Sequence, residues 1–263
     1  MIIVKIGGGK EINIKGIVED LSKLDEKFII VHGANHLRDE LAQKLGMQKK
    51  TLTSVSGYTS VFSDEDAIDV MMMAYAGLRN KRIVELCQIN GINALGLSGL
   101  DGKVIQGKRN QGIRVREGGK LKIVRDNSGK PVSVNSQLLN LLIDNGYTPV
   151  LCVPIIDENC HAINSENDDI INVLQREMKA DRIIQLIEAP GFLDDKGDDN
   201  SLVKELTKAE LIKREEQVEG RMKRKMHALR KLFEDGAAEV IISDGRTEHP
   251  VREALDGMGT IIK

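Results

Sequence analysis

Six short apolar runs, "IIVKI", "KFIIVHG", "INALGLSG", "TPVLCVP", "RIIQLIE" and "AEVIISDG", recur along the chain, and helical spacing fills 13–24, 35–46, 64–89, 135–145, 167–179 and 220–235 between and around them. Strands that are apolar on both faces must be covered on both faces, and parallel neighbours need crossovers long enough to hold a helix. The alternation therefore predicts an α/β chain: a mostly parallel central sheet with helices on both sides. The helix over 135–145 carries its own stop signal, Asn145-Gly146, suited to a left-handed end. Residues 103–130 break the rhythm, alternating apolar and polar residues around glycine-rich turns, and predict a β-hairpin excursion. The polar stretch 194–201 reads as a surface turn. With 263 residues, one large domain or two closely packed lobes is the expectation.

Composition narrows the class of partner. Lys and Arg number 38 against 40 Asp and Glu, a formal net charge of −2, which sets aside a globally basic nucleic-acid binder. Cys87, Cys152 and Cys160 are odd in number and far apart, so neither a disulfide framework nor a zinc site is expected, and a reducing, cytoplasmic setting is. The histidines, His32, His36, His161, His227 and His249, show no metal-binding spacing. No basic-then-apolar leader and no apolar run near the roughly 18 residues of a membrane span are present, so neither secretion nor membrane insertion is expected.

Inside the first strand stands a charge, Lys5, and directly after it come Gly7, Gly8 and Gly9. A buried ammonium must find an acid or an anionic ligand, and consecutive glycines let successive N–H groups form a concavity for an anion. The second strand repeats the arrangement, passing through Gly33 into a helix. Neither turn is a P-loop or a dinucleotide fingerprint, and each alone is accounted for by chain geometry; Lys5 is what favours a phosphate. Far along the chain, "EGRMKRKMHALRKLF" puts Lys223, Arg224 and Lys225 in the first turns of a helix, where the macrodipole disfavours cations unless an anion binds there. A solvated basic face explains the same residues. In "HAINSENDDIINVLQ" the acids at 166, 168 and 169 suit a helix start, and one of them is available to organise the lysines.

With "VKIGG", "VHG", "NKRIVELCQINGINALGLSGLDGK", "INSEND" and "EGRMKRK" in this order, the chain resembles the amino acid kinase family. The similarity is closest to N-acetylglutamate kinases and to kinases acting on aminoadipate or glutamate attached to an amino-group carrier protein; the stretch 75–102 and "EGRMKRK" lean toward the latter. The resemblance implies a three-layer αβα sandwich formed by a single domain over 1–263, with an acceptor lobe over about 1–165 and a nucleotide lobe over 166–263. It implies ATP, with Mg2+ arriving on the nucleotide and no protein metal site. By position, Lys5 and Lys225 match the family's two phosphate-binding lysines and Asp168 the aspartate that orients them. Gly7, Gly8 and Gly33 match the glycines whose N–H groups face the phosphates. Gly33, Ala34 and Asn164 fall on the acceptor side.

Three positions depart from the family pattern: Ala34-Asn35 where glycine usually continues, Val61 where an arginine commonly holds the acceptor's α-carboxylate, and Ile187-Glu188 where a Ser-Asp or Ser-Asn pair is common. Residues 103–130 carry nine basic residues (Lys103, Lys108, Arg109, Arg114, Arg116, Lys120, Lys122, Arg125, Lys130) against Glu117 and Asp126. A solvated hairpin that protects an edge accounts for such a strip; so does a docking patch for the small acidic carrier of the resembled branch. The reading that follows is an ATP-dependent kinase forming an acyl phosphate on a carrier-bound aminoadipate or glutamate side chain, in lysine or arginine biosynthesis. The alternatives are an N-acetylglutamate kinase and a non-catalytic ligand-binding or regulatory protein of the same fold. Met71, Met72 and Met73 read as core or helix packing, in line with the family's homodimers, and His32 as a structural histidine satisfied inside the protein.

Overall fold

Strand Ile2–Ile6 is buried at four of its five positions and lies between two parallel neighbours, Arg182–Ile187 and Phe28–His32. In the computed structural model it sits at the centre of an eight-stranded sheet. The order is Glu205–Leu206, Thr260–Ile262, Glu239–Asp244, Arg182–Ile187, Ile2–Ile6, Phe28–His32, Thr148–Cys152, Ala94–Ser98. All six predicted strands are there, adjacent and mutually parallel. The two additions are short edge elements, and Thr260–Ile262 runs antiparallel to its neighbour. The structure describes residues 1–48, 50–55, 57, 59–117, 120–195, 197–217, 220–236 and 239–263, with 59, 117, 199 and 220–225 described in backbone only.

Period-2 alternation divides the core between the faces of this sheet. Ile2, Val4 and Ile6 pack with Ile17 and Leu21 of helix Ile14–Leu21, Ile83 of Asn80–Ile89 and Val251 of Pro250–Leu255. Ile3 packs on the opposite side with Leu139 of Ser136–Asp144, Ile171 and Leu174 of Asn167–Met178, and Leu229 of Gly220–Glu234. The result is the expected three-layer αβα sandwich. Lys5 shares the parity of Ile3, so it points toward the layer holding Asn167–Met178. Gly146 takes φ +80 at the end of Ser136–Asp144, the left-handed stop anticipated there.

Two stretches differ from the expectation. The single helix predicted over 64–89 is α-helical at Glu65–Met71 and Asn80–Ile89 but widens to a π-helix at Met72–Arg79. The excursion at 103–130 has two tiers. Ile105–Arg109 pairs with Gly129–Val134 and joins Ile155–Ile156 and Ala162–Ile163 in a four-stranded sheet. Beyond it, Ile113–Glu117 pairs with Lys120–Val124 as an outer hairpin. Among the described residues no helix is long and apolar enough to cross a membrane.

Candidate active site

The carboxyl ends of the parallel strands bring the separated motifs together. Lys5 Nζ forms an ion pair with Asp168 Oδ1, and both side chains are only partly exposed, 14% and 31%. Asp168 lies in the first turn of Asn167–Met178, where the dipole favours an acid. The cap residue of that helix is Glu166, whose side chain makes no capping hydrogen bond, so Asp168 holds the strand lysine rather than serving as the helix cap. Next to it, Asn167 Nδ2 donates to the carbonyl of His32 at 3.2 Å, tying this helix to the end of the second strand.

The glycine turns are placed differently from the expectation at Gly7 and Gly33. Their N–H groups donate to Leu186 O and Ile6 O, both at 2.9 Å, and so continue the sheet. What the second and third glycines provide is close approach. A Cβ on Gly33 would stand 2.8 Å from Gly8 N, and one on Gly8 would stand 2.7 Å from Asn35 N and 2.8 Å from Ala34 N. The backbone nitrogens of Gly8, Ala34 and Asn35 therefore lie close together; the Ala34 N–H is turned to the Tyr75 hydroxyl oxygen, while those of Gly8 and Asn35 have no hydrogen-bond partner among the described residues. Backbone N–H groups do not depend on side-chain identity, so the departure at Ala34-Asn35 leaves this concavity in place; the Ala34 methyl is fully buried. His36 N closes the turn on Gly8 O at 3.0 Å.

Beside this concavity a pocket of about 160 Å³ is lined by Lys5, Asp168, Gln185, Ile187, Phe192, Met226 and neighbours. Ile187 thus contributes an apolar wall. Glu188 turns back, accepts from Glu11 N at 2.7 Å, and lays its carboxylate against Gly9. Lys225 belongs to helix Gly220–Glu234, and its side chain lies outside the described residues. His32 is fully buried beside Asn80, whose Nδ2 also donates to Val150 O at 2.9 Å. Burial pushes its pKa down to about 3, with the Arg79 and Lys81 charges acting in the same direction against the Gly33 carbonyl, so the ring is neutral. Asn80, Asn167 and Gln185 escaped the sequence reading; a polar residue in an apolar run, as Gln185 is in "RIIQLIE", was the available signal.

Asn164 is held by the excursion and by Ser63. Its Nδ2 donates to Ser63 Oγ at 3.1 Å, its N to Asn127 O at 2.8 Å, and its carbonyl accepts from Gly129 N at 2.9 Å. A cleft of about 540 Å³ opens nearby, bordered by Phe62, Ser63, Arg109, Arg125, Asn127 and Glu158 among others. Val61 ends the strand Thr59–Val61, two residues before Ser63. Lys108, Arg114, Arg116, Lys120, Arg125 and Lys130 are exposed along the excursion. Arg109 is instead engaged, through Nε to Asp157 Oδ2 at 2.8 Å and Nη1 to Asn127 Oδ1 at 2.6 Å. Burial alone would raise the Asp157 carboxyl; the His161 N–H and the Arg109 guanidinium outweigh it and hold it below the usual carboxylate range. Among the described residues no three His, Cys, Asp or Glu side chains group as a metal site.

The model of the amino acid kinase family matches residues 1–244. The chain is 37% identical, over the full length of both proteins, to a LysW-aminoadipate kinase of Thermus thermophilus, and 29% identical, again over both full lengths, to an acetylglutamate kinase of Methanopyrus kandleri. A solved structure, smu.665 of Streptococcus mutans, superposes with a TM-score of 0.73 at 16% identity, covering 100% of this chain and 98% of the other, which is a likeness of fold. The chain belongs to the amino acid kinase family.

Proposed function

We propose that this protein transfers the γ-phosphoryl group of ATP to the side-chain carboxylate of aminoadipate, or glutamate, held on a small acidic amino-group carrier protein, a step of lysine or arginine biosynthesis. The observation that carries the reading is the Lys5–Asp168 pair at the end of the strand that leads into the close-packed glycine turns, where the Gly8 and Asn35 N–H groups are open among the described residues. A carboxylate acceptor is already ionised at neutral pH, so no general base is called for; what the transfer needs is alignment and charge stabilisation. Lys5 would neutralise the transferring group from the strand side and Lys225 from the helix side, with Asp168 fixing the geometry. The Gly8 and Asn35 N–H groups would hold phosphate oxygens, and the apolar pocket beyond Lys5 would receive part of the nucleotide. ATP supplies the phosphoryl group, and Mg2+ would be held by its phosphates. In this reading residues 1–165 form the acceptor half and 166–263 the nucleotide half of one domain, at work in the cytoplasm.

The carrier preference rests on the names of full-length relatives, on Val61, which offers no charge to an acceptor carboxylate, and on the exposed cations of the excursion, which adjoins Asn164. A second copy would dock on the face of helix Asn80–Ile89 and the sheet edge, where Ile89 and Leu95 are exposed. Acetylglutamate kinase is the second reading, favoured by the Methanopyrus relative. The lysine–aspartate pair argues against a non-catalytic ligand binder. The test is acyl-phosphate formation, trapped with hydroxylamine, in the wild type and in Lys5→Met. A loss of about 10²- to 10³-fold in turnover is expected, the size of removing one preorganised donor. Equal turnover would reject the reading.

A further inference from the structure

Arg79 closes the π-helix, and no carboxylate pairs with it among the described residues. A π-helix changes the rotation of whatever follows it and is often found at functional sites. Here the segment reaches both glycine turns: the Tyr75 hydroxyl donates to Asn35 Oδ1, and Arg79 Nη2 donates to the carbonyl of Gly9 at 3.3 Å. Arg38 Nη1 also faces Asn35 Oδ1, at 3.4 Å. Since a guanidinium can only donate, the carboxamide oxygen of Asn35 is turned toward these donors and its NH2 the other way.

The guanidinium of Arg79 is poorly satisfied. Among the described residues its Nε is buried with no hydrogen-bond partner, and its single bond is a long one to a neutral carbonyl. Burial lowers its pKa, and Tyr75 is the one group acting against that. Close by, Lys81 donates to Asn80 Oδ1 and Gly96 O, not to an acid, and the buried His32 stays neutral. A desolvated cation without a counter-charge works against folding, so a fold that keeps one holds positive potential in reserve for an anion.

We propose that Arg79 is a positioning residue for the nucleotide phosphates: an unneutralised guanidinium behind the glycine turns that pins the Gly9 carbonyl and adds positive potential at the Gly8 and Asn35 N–H groups. The inference rests on the phosphoryl-transfer reading above. It differs from a purely structural brace in one consequence: removing the charge weakens phosphate binding without weakening the fold.

The experiment titrates Mg-ATP into wild type, Arg79→Gln, Arg79→Met and Arg79→Lys by calorimetry and compares their melting temperatures without nucleotide. Glutamine keeps an N–H donor for Gly9 but no charge; lysine keeps the charge. Both neutral variants are expected to bind ATP about tenfold more weakly, the scale of one partly screened charge–charge contact, with melting temperatures at or above that of the wild type. Arg79→Lys should recover most of the affinity. In turnover, KM for ATP should rise while KM for the acceptor stays unchanged. A wild type that binds no ATP would overturn the phosphoryl-transfer reading itself. A wild type that binds, with Arg79→Gln binding equally well, would overturn only the role of Arg79. Failure of both neutral variants to fold would make Arg79 a structural brace and overturn it too.

Discussion

At the scale of the residue, the site depends on which charges are fixed and which polar groups are left open. Asp168 is held by Lys5 across the boundary between sheet and helix, so its effect should be felt in the transition state, where alignment counts most. Asp168→Asn is expected to lower turnover by about 10²-fold, as loss of a preorganised electrostatic contact does, while ATP affinity from calorimetry changes only a few-fold. A helix cap would tolerate asparagine and leave turnover unchanged. His32 makes a separate prediction, about stability. Its folded pKa is lowered to about 3 from 6.5, so between those values the unfolded chain binds the proton and the folded one does not. Stability is therefore lost as pH falls through that window, by about 1.4 kcal/mol per pH unit from this one group. Melting measured from pH 7 to pH 4.5 should show a shallower fall in His32→Gln than in the wild type. Parallel curves would mean that His32 is not the group responsible.

At the scale of the element, two turns and one excursion do the work. Because a methyl on Gly33 meets backbone atoms of Gly8 at 2.8 and 2.9 Å, it has no flexible neighbour to displace. Gly33→Ala should push the turns apart, cost about 1–3 kcal/mol as overpacking does, and abolish ATP binding; a variant that melts and binds as wild type does would contradict this. The excursion is expected to act through charge. Lys108, Arg114 and Arg116 are exposed, whereas Arg109 is committed to Asp157 and Asn127, so the triple change of the first three to glutamine tests docking while leaving the Arg109 contacts in place. It should raise KM for the carrier and leave ATP affinity unchanged, and the effect should shrink between about 0.05 and 0.5 M salt as the Debye length shortens. The central strands were legible because buried parallel strands are apolar runs, and Lys5 was legible because a lysine inside such a run demands a partner. The π-helix was not, since Met72–Arg79 keeps the apolar spacing of an ordinary helix. Nor were the strands Glu205–Leu206 and Thr260–Ile262, too short for a periodic signal. Which N–H groups stay open, those of Gly8 and Asn35, was hidden too, because sheet pairing beyond the strand ends, which engages Gly7 and Gly33, is a tertiary fact.

At the scale of the whole molecule, a nearly neutral chain, net −2, carries its positive charge locally. The exposed cations line an excursion that holds Asn164 by two backbone hydrogen bonds, while the Lys5–Asp168 pair lies at the centre of the main sheet. A large acceptor bound at the excursion could use that remote contact to position its reacting carboxylate, which is how binding energy far from the chemistry raises turnover. A free N-acetylated amino acid has no such contact to draw on, and Val61 gives its α-carboxylate no charge. The most direct measurement is therefore a comparison of hydroxylamine-trapped acyl phosphate formed from carrier-bound aminoadipate and from free N-acetylglutamate, each over a range of concentrations at low salt. The account predicts a kcat/KM at least about 10²-fold higher for the carrier-bound acceptor, equivalent to roughly 2.7 kcal/mol of extra transition-state binding, and a preference that declines as salt rises. Equal or better use of free N-acetylglutamate, unchanged by salt, would contradict it.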